Sequence, residues 1–325
     1  MPNQKGFLLS AGFGTRFKPQ SLFLPKPALP FLNVPQALFP AAALKSAGVD
    51  DFFYNSHHLP DELDSALKPY FNRNSLFEKE ILDSAGGISN AEEELKDQEN
   101  FWVANGDSLV FLNDQDVLNE AFDFHVKENA SATLIGVTKP FKDLSGLESD
   151  SSSTFTGISR SSEALHFIGF YIFNRSIFEN LKKEKQHIFH DVLLNKFSGK
   201  TLVYDAKERI TWYETGNETD FLNAASIRLK DLKLKQQKSQ TYKALAQWHL
   251  NSKDTLDNNL ENFLNHKIWG EAQDSKYSID DFLCIGENTA GDFSKLNNSI
   301  LGPNLRFDSQ QFFNNQVLID SSQWT

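Results

Sequence analysis

Through the first two-thirds of the chain, short apolar runs alternate with stretches whose apolar residues recur every three or four positions. The runs Phe7–Ser10, Asp51–Asn55, Leu76–Leu82, Phe101–Ala104, Ala132–Val137, His166–Phe173, Thr201–Tyr204 and Ile210–Tyr213 predict strands. Between them the helical period predicts Pro35–Ala47, stopped by Gly48, and Pro60–Phe71, which starts on a proline. A third helix is predicted over Ser89–Lys96, where Ser89 and Glu92 stand at capping-box spacing. Asp114–Lys127, Ser176–Lys183 and Glu218–Leu232 follow. Strand–helix alternation of this kind predicts an α/β fold, a largely parallel sheet flanked by helices. The serine-rich Ser149–Gly157 reads as a mobile surface loop.

Beyond about Leu234 the pattern changes. Residues 235–275 are polar, with some helical periodicity. From Leu283 onward, apolar residues precede small or polar turns at intervals near six, as in "IGENTAG", "ILGPNLRF" and "VLID". That is a worn hexapeptide pattern and predicts a few coils of parallel β-helix rather than an irregular tail. So short a tract is expected to be capped by a neighbouring surface or a second copy, a homo-oligomer contact. The chain therefore divides into 1–232, a connector 233–275 and a repeat segment 276–325.

Composition narrows the function. The net charge of −11 opposes non-specific binding to nucleic acid, although a local cluster of cations can still hold a phosphorylated small molecule. One cysteine, Cys284, excludes an intramolecular disulfide framework and a multi-cysteine metal site. The uncharged run Pro27–Leu44 has the length of a membrane span, but its four prolines, Asn33 and Gln36 exclude that use. The apolar stretch near the N-terminus is too short for a signal peptide and soon meets Arg16. A cytoplasmic protein that avoids membranes is the expectation.

The chemistry concentrates in Ala11–Lys26. The loop "AGFGTR" follows a predicted strand, lacks the P-loop pattern, and has Phe17 where a dinucleotide fingerprint needs its third glycine. Gly12 and Gly14 let main-chain N–H groups approach an anion. Arg16 adds a planar fork for phosphate oxygens. Lys26 stands between two prolines that restrain its backbone. Together these predict a polyphosphate site. Asp107 and Glu214 each follow a predicted strand at its carboxyl end, so both could meet on one Mg²⁺. His57 and His58 are adjacent and face opposite ways on an extended chain, so they form no chelate.

Residues Ala11–Arg16, Pro19 and Pro25–Pro27 resemble the signature of the sugar-1-phosphate nucleotidyltransferases. Further segments match in the same order: "YNSHHLPDEL", "LDSAGGI", "VANGDSL", "FIGFYIF" and "WYETGNETDFLNA". The resemblance implies a Rossmann-like, GT-A-like catalytic domain and, at the C-terminus, a short degenerate left-handed β-helix. It implies nucleotide contacts from Ala11, Gly12, Gly14, Thr15, Arg16 and Gly86, and sugar-phosphate contacts from Asn105, Gly169 and Lys26. Arg16, Lys26 and Asp107 would be catalytic, with Mg²⁺ on Asp107 and Glu214. The substrates implied are a nucleoside triphosphate and a sugar 1-phosphate. N-acetylmuramate-1-phosphate uridylyltransferases and mannose-1-phosphate guanylyltransferases are the types it most resembles, and phosphocholine cytidylyltransferases are an alternative. The family carries Asp where Glu214 stands and Thr where Asn217 stands, which opens a second reading: a non-catalytic nucleotide-sugar sensor.

Overall fold

The computed structural model describes residues 4–138, 144–195, 197, 199–233, 241–245 and short stretches between 283 and 323. Seven strands form the main sheet, in the spatial order Thr201–Asp205, Ala132–Val137, His166–Asn174, Asn100–Asn105, Gln4–Leu9, Val49–Ser56 and Leu76–Phe77. All neighbours run parallel except His166–Asn174, which is antiparallel to both of its partners. The central strands are apolar on both faces because both are covered. Alternate residues divide between two cores: Leu8, Tyr54, Trp102 and Ala104 on one face, Phe7, Phe53, Phe101 and Val103 on the other. A period of two along each strand produces that division.

Helix Pro60–Phe71 has the expected bounds. Leu38–Ser46 ends beside Gly48, whose φ of 87° suits a residue without a Cβ. The expected strand Leu76–Leu82 shrinks to Leu76–Phe77, because the backbone after it turns into a helix over Asp83–Asn90. Ser89 is buried inside that helix and caps nothing, so the capping-box start is corrected. The serine-rich segment is also corrected: Gly146–Ser149 and Phe155–Ser159 pair as an antiparallel hairpin. At its tip, the Asp150 carboxylate accepts from the backbone N–H groups of Ser152 and Thr154. Polar tip residues look like loop in sequence, yet Leu147 and Phe155 are buried. Leu109–Leu112, paired with Ile210–Tyr213, is a further strand that the periodicity did not announce.

Most of the connector 233–275 lies outside the described residues. Its described helical turn, 241–245, packs on the core of the main sheet, with the Thr241 hydroxyl accepting the Leu112 N–H at 3.0 Å. Further on, Leu283–Ile285, Ser299–Leu301 and Val317–Leu318 stack in parallel. Ala290–Gly291 stacks on Arg306–Phe307, and Leu296–Asn297 on Phe313–Asn314, again parallel. Cys284, Ile300 and Val317 belong to the same buried cluster as Phe17 and Phe221, so this segment shares the core of the main sheet. Among the described residues, no helix is long and apolar enough to cross a membrane.

The fully buried His125 shares hydrogen bonds with Thr133 and Asn100. Burial pulls its pKa down to about 4, against 6.5 for a free imidazole. Above that free value the ring is neutral in both states. Between the two values only the unfolded chain binds the proton, so stability falls as pH drops through that window, by on the order of 3 kcal/mol. Denaturant midpoints at pH 7, 5.5 and 4.5 should decline, and the part of the decline due to this ring should vanish in His125→Gln.

Candidate active site

The site grows from the carboxyl edge of the sheet. Leu9 pairs with Asn105 and Leu8 with Tyr54, so the residues that follow these strands open on one side. The Asn55 side chain accepts the Ser10 N–H at 2.6 Å, and the Gly106 N–H donates to the Leu9 carbonyl at 2.8 Å. These bonds tie together the starts of three loops. A Cβ at Gly106 would lie 2.3 Å from the Ser10 hydroxyl, so the approach needs glycine.

The glycine-rich loop then folds back on the Lys26 segment. Gly14 has φ of 60°, and a Cβ there would stand 3.3 Å from that of Lys26 and 3.2 Å from that of Ser21. Lys26 opens a short helical turn, Lys26–Ala28, and is only 8 % exposed. Its Nζ donates to Asp107 Oδ2 at 2.8 Å. Loop, lysine and aspartate thus lie together at this edge of the sheet.

Asp107 and Glu214 are brought to one end by the antiparallel ladder in which Leu109 faces Tyr213. A residue that sequence reasoning missed fixes the two loops. Gln36, fully buried, donates its Nε2 to the Asp107 carbonyl at 2.6 Å and to the Thr215 hydroxyl at 2.7 Å. Glu214 Oε1 accepts the Thr215 N–H at 3.1 Å. A Cβ on Gly216 would meet Glu214 Oε1 at 2.7 Å and Arg16 Nη1 at 2.8 Å. Arg16, itself exposed, thus borders the same glycine as the second acid.

Beside these groups lies a hollow of about 360 Å³, bordered by Ala11, Gly12, Asn55, Asp83, Ser84 and Asn105. A Cβ on Gly12 would meet nothing within 4 Å, so this glycine faces open space. Thr15, exposed, starts the turn that carries Arg16. Gly86 is placed otherwise than expected. It is buried, and a Cβ there would lie 2.2 Å from the Glu184 carbonyl, so it lets the helix dock on that segment. Asp83 and Ser84, from the same motif, reach the hollow instead. Gly169, with φ of 82°, packs on the site from below: a Cβ would lie 2.2 Å from the Ser108 hydroxyl and 2.9 Å from Asn105 Nδ2.

Two further groups support the rim. Asn55 donates to buried Glu78 Oε1 at 2.6 Å, and the Leu82 N–H donates to Glu78 Oε2 at 3.0 Å. Burial pushes the Glu78 carboxyl up, opposed by those two donors. His57 and His58 serve separate loops, through Glu78 O at 2.9 Å and Ser21 O at 2.7 Å. Both rings approach Phe13, at centroid distances of 5.2 Å and 5.9 Å.

Gly169→Ala should place a methyl against Ser108 and Asn105 at a backbone angle that disfavours it. The expected loss is about 2 kcal/mol or more. Gln36→Leu should lose about 1–2 kcal/mol, because the buried Thr215 hydroxyl loses its donor and the Asp107 carbonyl keeps only the longer 3.4 Å bond from that hydroxyl. Thermal unfolding of both variants measures this.

Residues 5–231 match the family model described as nucleotidyl transferase. Mannose-1-phosphate guanyltransferase of Candida albicans is 30 % identical over 244 residues, covering 71 % of this chain and 66 % of that protein. The chain thus spans just under two-thirds of that relative. Among solved structures, HddC from Yersinia pseudotuberculosis complexed with GMP-PN superposes with a TM-score of 0.58 at 21 % identity, covering 69 % of this chain and 99 % of that one. UDP-glucose pyrophosphorylase from Acinetobacter baumanii gives 0.59 at 16 % identity, covering 72 % and 100 %. The last two establish the fold, and the family match covers the strands and loops that build the site: the chain belongs to the nucleotidyl transferase family.

Proposed function

We propose that the chain transfers the nucleotidyl group of a nucleoside triphosphate to a sugar 1-phosphate and releases pyrophosphate. The 2.8 Å contact between Lys26 and Asp107, made by a lysine whose Cβ packs beside Gly14, carries this reading. It puts a cation and an acid beside a loop whose Gly12 faces open space. The attacking group is a phosphate monoester whose second pKa is about 6, so it arrives as an anion and no general base is needed. One of its oxygens bonds to the α-phosphorus while the bond to the departing pyrophosphate breaks in line. The protein supplies position and charge. The Ala11–Thr15 amides and Arg16 hold the β- and γ-phosphates, and Lys26 neutralises charge at the reacting centre. Asn105, braced by Gly169, borders the acceptor's phosphate.

The donor set suits Mg²⁺. Asp107 and Glu214 offer hard carboxylate oxygens, and the Lys26 bond occupies only Oδ2 of Asp107. Among the described residues, no three His, Cys, Asp or Glu gather into a ligand cluster. Mg²⁺ held by two carboxylates would take its other ligands from phosphate and water, and would supply charge neutralisation. The names of the relatives make GTP and mannose 1-phosphate the first pair to try. Among the described residues, the parallel ladders support a short β-helix in the 276–325 segment, and its left-handed type is what the family resemblance implies.

A second reading, a non-catalytic nucleotide-sugar binder, is favoured by Glu214 Oε1 turning back onto the Thr215 N–H. A pyrophosphate-release screen over four nucleotides and several sugar 1-phosphates separates the two. The transferase predicts turnover with one pair, lowered about 10²–10³-fold in Lys26→Ala and in Asp107→Asn. Gly12→Val should leave the unfolding temperature near that of the parent while blocking nucleotide binding. Tight binding of a nucleotide sugar with no pyrophosphate from any pair supports the binder instead.

A further inference from the structure

Gln20 lies between Arg16 and Lys26 and is 1 % exposed. Its Nε2 donates to Glu218 Oε1 at 2.7 Å and to the Val317 carbonyl at 3.1 Å. The Val317 N–H donates to the same Glu218 oxygen, also at 2.7 Å. Glu218 opens the helix that follows Glu214–Gly216. Three remote parts of the chain therefore meet in one closed hydrogen-bonded triangle. One side belongs to the segment bearing both cations and another to the segment bearing the second acid. The third is a main-chain strand of the C-terminal ladders. Apolar packing seals it: Val317 is fully buried, and Phe17 stacks edge-on against Phe221 at 5.2 Å.

We infer that the strand Val317–Leu318 is a positioning element of the nucleotide site, which it serves by locking the Arg16–Lys26 segment to the Glu214–Glu218 segment. Gln20 and Glu218 are positioning residues. They set the separation of a cationic arm and an acidic arm that must face one triphosphate, and small misplacements there are costly. Because Val317 takes part through its peptide group, the position tolerates any apolar side chain that packs, which hides the role from a search for functional residue types. The inference rests on the nucleotide site proposed above.

The test compares Glu218→Ala, Gln20→Ala and Glu218→Gln in the full chain, with Thr289→Ala as a structural control. Thr289 joins two parts of the ladders through Gly302 and Leu305, remote in sequence from the triangle. GTP affinity by calorimetry with Mg²⁺, KM and kcat for GTP, and the unfolding temperature are measured for each. The alanine variants at 218 and 20 should weaken GTP binding and raise its KM by about tenfold. Glu218→Gln should stay near the parent, since both bonds end on an oxygen that an amide replaces. Thr289→Ala should lower the unfolding temperature and leave GTP affinity unchanged. Parent-like affinity in both alanine variants, or an equal loss in Thr289→Ala, overturns the inference. A parent chain that binds GTP yet releases no pyrophosphate with any pair of the screen refutes the transferase, and the affinity comparison still decides the triangle. A parent chain that binds none of the four nucleoside triphosphates overturns both.

Discussion

An ammonium group drawn out of water needs a counter-charge, and Lys26 finds one in Asp107. Much of the local architecture follows from that pair. Lys26 can sit so close to the glycine loop only because Gly14 presents no side chain to it. Asp107 can meet it only because Gln36 holds the aspartate's own carbonyl and, with the same amide, the loop after Glu214. The ladder between Leu109–Leu112 and Ile210–Tyr213 then sets how far apart the two acids emerge. The pair is half open to solvent on the Asp107 side, so the charges are assembled and still within reach of a ligand.

The glycines around this pair serve two different ends. Gly14, Gly106 and Gly169 are occupied by protein: each brings another part of the chain within contact distance of where a Cβ would be. Gly12 is the exception, because nothing of the protein fills its space. The contrast is with the three neighbouring glycines of the site, whose Cβ positions are all taken by other parts of the chain. The loop thus combines close internal contacts at Gly14 with one open face at Gly12.

Much of this was legible before the structure. Strand–helix alternation announced the parallel sheet, and the residue types in Ala11–Lys26 singled out the glycine loop and the lysine that pack together beside Asp107. What escaped notice acts through long-range pairing or through main chain. Gln36 looks like an ordinary polar residue inside an uncharged run, and its two acceptors lie 71 and 179 residues away. Glu78 and Asn55 carry no motif that marks one as the brace of the other. The glycine pair at 86–87 was seen, but its two members do separate work. Gly87 would crowd Asn55 and Gly86 would strike Glu184, so the hollow falls to Asp83 and Ser84. The hairpin at 146–159 was hidden by its polar tip, since pairing of the flanking strands is not a local property.

The sharing of one hydrophobic cluster by Phe17 and Val317 also bears on how the molecule is made. Gln20 waits for a carbonyl 297 residues further on, so a nascent chain that has completed the main sheet still exposes an unsealed seam. Closing so long a loop is entropically slow, which places this step late in folding. Synthesis interrupted before that carbonyl exists leaves the buried Gln20 amide and Glu218 carboxylate short of a partner and the cluster short of Cys284, Ile300 and Val317, the kind of incomplete core that quality-control chaperones and proteases recognise.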